Sequence, residues 1–202
     1  MGKIGLIGCI GLLVVALVLG LWVAGQYNGL VSSDQAVQAQ WGQVEAAYQR
    51  RADLISNLVE TVKGAANFEQ STLTAVTEAR AKVGQISAGA AQNLANNPEA
   101  FQKFQQAQDG LSSALSRLMV VVEKYPELKA NQNYLNLQSQ LEGTENGIAN
   151  ERRQFNEAAQ TFNTKRNSFP TNIVAGFFGG KFNEKPYFKA AEGSDKAPQV
   201  KF

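Results

Sequence analysis

The residues best placed to do chemistry form two polar stripes. Arg50, Asp53, Asn57 and Glu60 recur at steps of three and four, which aligns them along one flank of a helix. Glu142, Glu145, Asn146 and Arg153 form a similar set a hundred residues later. Carboxylates can move protons when desolvation raises their pKa, and arginine can hold an anionic group while they do so. An enzyme built from Asp53, Glu60, Glu142, Glu145 and Arg153 in a helical interior is therefore one reading. No spacing among them specifies a reaction. Two other readings compete with it: a solvated flank whose side chains merely pair along the helix, and a partly buried network that sets the register between two helices. A ligand groove between those flanks remains open beside them.

The rest of the composition narrows the chemistry. The chain has 202 residues, no histidine and a single cysteine, Cys9. Histidine is the commonest general base and metal ligand, so Ser-His-Asp, Cys-His and Glu-x-x-His di-iron sites are all excluded. No enzyme activity, metal or cofactor is expected. Nineteen Lys and Arg against 17 Asp and Glu leave a net charge of +2, without the basic excess of a nucleic-acid binder. AGFFGGK, residues 175–181, looks like a phosphate loop but has three residues between Gly176 and Gly180 instead of four, and Phe182 follows the lysine.

The elements that carry these stripes are helices. Ile4 to Ala24 is 21 residues without a charge, about the length that spans a bilayer, with Trp22 and Tyr27 at its far end. A transmembrane helix over 4–24 is expected, after a short N-terminus at 1–3. Lys3 favours a cytoplasmic N-terminus. Ser32, Ser33 and Asp34 offer caps for a new helix near Gln35, with core positions Trp41, Val44, Tyr48, Ala52, Ile55, Val59 and Val62. A second helix carries Leu73, Val76, Arg80, Val83 and Ile86, and SAGAAQNLANNP reads as a connector. Asn97-Pro98-Glu99 starts a third helix with Phe101, Phe104, Leu111, Leu115, Leu118 and Val122 on one stripe, ended by Tyr125-Pro126. A fourth starts near Asn131 and runs to about Phe162, with Phe155 and Phe162 on its core face and Asn156 and Asn163 on its polar flank.

The expected fold is all-α: a transmembrane helix, an antiparallel four-helix bundle over 25–169, and an irregular aromatic tail over 170–202. Seven of the eleven phenylalanines fall at or after Phe162, so the tail should pack on something. Gly176, Phe177, Phe178 and Phe182 are its candidate docking segment, directed at the bundle end, a membrane or a partner.

Several long runs resemble the LemA family: YNGLV from Tyr27, WGQVEAAYQRRADLISNLVETVKG from Trp41, EAR at Glu78–Arg80, LEGTENGIANERRQFNEA from Leu141, NSFPTNIVAGFFG from Asn167 and the closing APQVKF. The chain departs from the family in having Ser56 where a proline is usual and Gly147 where an arginine is common. The resemblance implies a bacterial membrane protein with one anchor, an all-α domain and an N-terminus outside, against the hint from Lys3. It brings no catalytic residue. The function expected is a single-pass scaffold or interaction protein of the bacterial inner (plasma) membrane. Its partners would be the membrane, other envelope proteins or a second copy, and not nucleic acid. An accessory or regulatory subunit of a membrane protease or signalling system is the alternative.

Overall fold

The computed structural model describes residues 3–64, 68–90 and 94–189. It is all-helical, with no strand among the described residues. The first helix, α1, runs unbroken from Lys3 to Lys63. This corrects the expected restart near Gln35: Ser32, Ser33 and Asp34 lie inside the helix and cap nothing. Ser33 Oγ instead donates back to the Gly29 carbonyl, one turn earlier, at 3.0 Å. With every backbone N–H already paired within the helix, good capping residues have no orphan donors to satisfy. α1 also passes straight through Ser56, whose hydroxyl donates to the Ala52 carbonyl at 3.0 Å.

α2 spans Gln70–Ala90 and so takes the first residues of the expected connector into the helix. A 3₁₀ turn at Leu94–Asn96 buries Leu94 and Ala95. Asn97 then caps α3, Pro98–Val122, its side chain accepting from the N–H groups of Glu99 and Ala100. Pro126 does double duty after the end of α3: it cannot continue that helix, and it opens the single turn α4, Pro126–Lys129. Asn131 caps α5, Gln132–Asn167, in the same manner as Asn97. α6, Thr171–Phe177, and a 3₁₀ turn at Gly179–Phe182 follow. Gly179 has φ +56°, where a side chain would be strained.

α1 packs along α5, and α2 along α3. Bonds from Gly29 to Lys165, Gln40 to Glu151 and Arg51 to Glu145 show that α1 and α5 run in opposite directions. Gly29 permits the first of these. Its carbonyl accepts from Lys165 Nζ at 2.8 Å, and a Cβ there would lie 2.7 Å from the same ammonium. The buried residues form two clusters. One, around Ile55, Leu58, Leu111 and Leu118, is mostly aliphatic. The other is aromatic and lies nearer the apolar end of α1. There Trp41 meets Phe101, Phe104, Phe155 and Phe188 at centroid distances of 5.5–6.2 Å. Such pairs add about 0.5–1.5 kcal/mol each beyond their buried area.

Candidate functional site

α1, α3 and α5 meet at Arg51. The residue is buried, only 2% exposed, and its guanidinium is divided among three partners. Nη1 donates to Glu145 Oε1 at 2.8 Å and to Ser112 Oγ at 3.1 Å, while Nη2 donates to Gln108 Oε1. The group also lies 5.0 Å from the centroid of the Tyr48 ring. A planar fork with five donors suits such a junction, since one cation ties three helices through separate N–H groups. Tyr48 is itself enclosed. Burial pushes its phenol above 10.0, and the guanidinium charges of Arg152 and Arg51 offset part of that rise.

The eight residues of the expected network are placed otherwise. Arg50, Asp53, Asn57, Glu60, Glu142, Asn146 and Arg153 are exposed. Asp53 accepts from Gln49 at 2.9 Å, Glu60 pairs with Lys63 at 2.7 Å and Glu142 accepts from Gln138 at 3.2 Å. Arg153 pairs with Glu157 at 2.5 Å. Glu145 crosses to α1, and the cation it meets is Arg51, the neighbour of the expected Arg50. Arg50 instead lines an open groove of about 530 Å³ between α1 and α5, with Gln43, Gly143 and Glu151. Glu151 there accepts from Gln40 at 2.7 Å. Sequence contained a signal for Arg51: Trp41, Val44, Tyr48, Arg51, Ile55, Leu58 and Val62 alternate steps of three and four along the buried face.

A second polar construction was not foreseen. Residues 183–189 run along α5 as a strap held by side-chain amides. Asn163 Oδ1 accepts from the Lys185 N–H at 2.8 Å, and its Nδ2 donates to the Lys185 carbonyl at 2.9 Å. Asn156 brackets Phe188 in the same way, at 2.8 and 2.9 Å. Asn156 and Asn163 are seven residues apart, about 10.5 Å along the helix. Three strap residues cover that distance at about 3.5 Å each, the pitch of an extended chain. Each asparagine thus supplies the donor and acceptor that a neighbouring strand would supply.

Two strap side chains anchor it. Phe188 enters the aromatic cluster beneath Arg152, whose guanidinium lies 4.7 Å from its ring centroid. Lys185 is 3% exposed. Its ammonium sits 4.7 Å from the Phe162 ring centroid, donates to Asn96 and forms an ion pair with Asp34. Asp34, expected as a cap, is therefore the counter-charge of a buried lysine 151 residues later. Of the expected docking segment, Phe182 is buried, while Gly176, Phe177 and Phe178 are exposed. Residues 190–202, including all of APQVKF, lie outside the described residues.

A profile described as the LemA family matches residues 40–202, most of the chain. The chain belongs to the LemA family. The matched segment contains Arg51, Glu145, both bracketing asparagines and the strap; the apolar run precedes it. Among its relatives is the magnetosome protein MamQ of Magnetospirillum gryphiswaldense, 30% identical over 179 residues, covering 80% of this chain and 66% of MamQ. MamQ 2 of Paramagnetospirillum magneticum is 31% identical with the same coverage. The protein LemA of Metamycoplasma hominis is 27% identical over 151 residues, 75% of this chain and 64% of that protein. The chain thus spans just under two thirds of the length of these curated relatives.

Proposed function

We propose that this LemA-family chain is a single-pass, membrane-anchored scaffold or interaction protein of the bacterial inner membrane, and that it performs no catalysis. In this reading 4–24 cross the bilayer, 25–169 form an antiparallel four-helix bundle and the tail closes the bundle end. The observation that carries the reading is the continuity of α1. The same helix that is long and apolar enough to cross a membrane supplies Trp41, Ile55 and Val62 to the buried core. Anchor and bundle are then one rigid piece, which suits presenting a surface at a fixed distance from a membrane. Of the carboxylates considered for catalysis, Asp53, Glu60 and Glu142 are engaged by same-helix neighbours on exposed faces, and Glu145 is paired with Arg51.

The test is cross-linking in native membranes, with carbonate extraction of the same membranes. Resistance to extraction and capture of a second envelope protein or a second copy are the expected results. Release by carbonate would overturn the anchor; recovery as an uncross-linked monomer under several reagents would overturn the scaffold.

A further inference from the structure

The apolar run of α1 ends at Ala24, and α6 docks on α1 immediately after it. Thr171 Oγ1 and Gln26 Oε1 are hydrogen-bonded at 2.8 Å. The Tyr27 ring lies against Phe178 at 4.7 Å and Phe182 at 5.5 Å, and the Lys181 ammonium sits 4.8 Å from its centroid. At 1.5 Å per residue, Gln26 and Tyr27 are only about 3–5 Å beyond the last apolar residue of the run. With 4–24 spanning the bilayer, as proposed above, α6 would be held at the level of the lipid headgroups.

At that level the protein leaves apolar surface uncovered. Phe169 is 81% exposed, Ile173 62% and Phe177 84%. A step of four places Ile173 and Phe177 along one side of α6, with Phe169 exposed just before the helix, whereas Thr171, Val174 and Ala175 are buried on the other side. Beyond the apolar run, the large hydrophobic residues exposed among the described residues are Val120, Leu135, Phe169, Ile173, Phe177, Phe178 and Tyr187. Four of these seven fall within 169–178, so among the described residues the exposed apolar side chains are concentrated beside the end of the apolar run. A contiguous apolar patch of this kind marks an interaction surface.

We propose that Phe169, Ile173 and Phe177 insert into the interfacial layer of the same bilayer that α1 crosses. The occupant of this face is lipid, because the patch shares the level of Trp22 and Tyr27, side chains suited to that layer, and the Lys181 ammonium, against the Tyr27 ring, puts a cation at the same level. The proposal rests on the anchor reading above. With it, the protein touches the membrane at two points, and the second fixes how α1 is turned about its own axis.

The test uses the full chain with Cys9→Ser and one introduced cysteine at Ile10, Gly176 or Val120. Gly176 is exposed and a Cβ there meets nothing within 4 Å, so the label is accommodated. Each variant carries an environment-sensitive fluorophore and is reconstituted into phosphatidylethanolamine–phosphatidylglycerol vesicles containing spin-labelled quencher lipids. A label at Ile10 is expected to be quenched most by a deep acyl-chain quencher. One at Gly176 should respond most to a quencher at the headgroup–acyl boundary, about 5–10 Å deep. One at Val120 should not be quenched. Replacing Phe169, Ile173 and Phe177 together by serine, all at exposed positions, should reduce quenching at Gly176 and leave Ile10 unchanged. Quenching at Ile10 without any at Gly176 overturns the proposal alone, as does quenching at Gly176 that survives the triple serine variant. A Gly176 label shielded from water but untouched by quencher lipids would mean a protein covers the face, and also overturns it. No quenching at Ile10 overturns the anchor and the proposal together.

Discussion

Arg51 and Glu145 join α1 to α5 across 2.8 Å, with the guanidinium side chain 3% exposed and the carboxylate side chain 45% exposed. The cation bears the greater burial and depends on all its acceptors. Arg51→Ala would leave Gln108 and Ser112 facing a void and remove the charge that meets Glu145. The half-exposed Glu145 can rehydrate, so the cost is set by the void and by the buried Gln108 oxygen left without a donor, about 1–3 kcal/mol for that group. Asp53→Ala, on the exposed flank two residues away, should stay within about 0.5 kcal/mol of the parent. Urea unfolding of the detergent-solubilised protein, followed by far-UV circular dichroism, compares the two. Equal effects would remove Arg51 from its place as the junction.

The strap offers a separate test. Leucine at Asn156 or Asn163 keeps approximate size but leaves one strap residue's N–H and C=O without partners. The cost is about 1–3 kcal/mol for each unsatisfied group. Opening of 183–189 should then increase by at least about thirtyfold, and chymotryptic cleavage after Tyr187 and Phe188 with it. Unchanged cleavage in both variants would show that the amides do not hold the strap.

Tyr48 gives a pH dependence of defined sign. Its phenol titrates above 10.0 in the folded chain, chiefly because burial disfavours the phenolate. Above pH 10 the unfolded chain loses this proton first, so stability falls as pH rises toward the folded value. Below pH 10 this residue contributes no slope. Tyr48→Phe should flatten the decline between pH 9 and 11 relative to the parent, while the lysines contribute equally to both. Parallel curves for the two proteins would refute the assignment.

Ala52 and Ser56 bear on the family's usual proline. Proline at 56 would remove the N–H that bonds the Ala52 carbonyl, a loss of about 3 kcal/mol or more in a helix interior. That carbonyl already has another donor, because Arg80 Nε reaches it from α2 at 3.2 Å. Ser56→Pro combined with Arg80→Ala should therefore cost more than the sum of the two single changes. Additive effects in the thermal unfolding of the double variant would separate the two residues.

What could be read from the chain followed the range of the interactions. The starts of α3 and α5 were legible because Asn97 and Asn131 act on N–H groups two and three residues away. Trp41, Tyr48, Phe101, Phe104, Phe155 and Phe162 were legible as core from helical spacing, and all are buried. The same local logic failed at Ser32–Asp34, where residues that make good caps lie in mid-helix. It also chose a seam through Ala52 and Val59 rather than through Arg51 and Leu58, since a charge on an apolar stripe counts against that stripe. Asp34 with Lys185, and Asn163 with the strap, depend on how distant segments meet; nothing in their immediate neighbours announces the partner.

The unbroken α1 makes the protein a lever. From Gln26 to Lys63 it extends about 57 Å beyond the apolar run, with no joint along its length. If residues 4–24 cross a bilayer as proposed, a change of about 20° in tilt, within the range of membrane helices, would swing its far end by about 20 Å. Small differences in the lipid around residues 4–24 would thus become large displacements at the end of the domain farthest from the membrane.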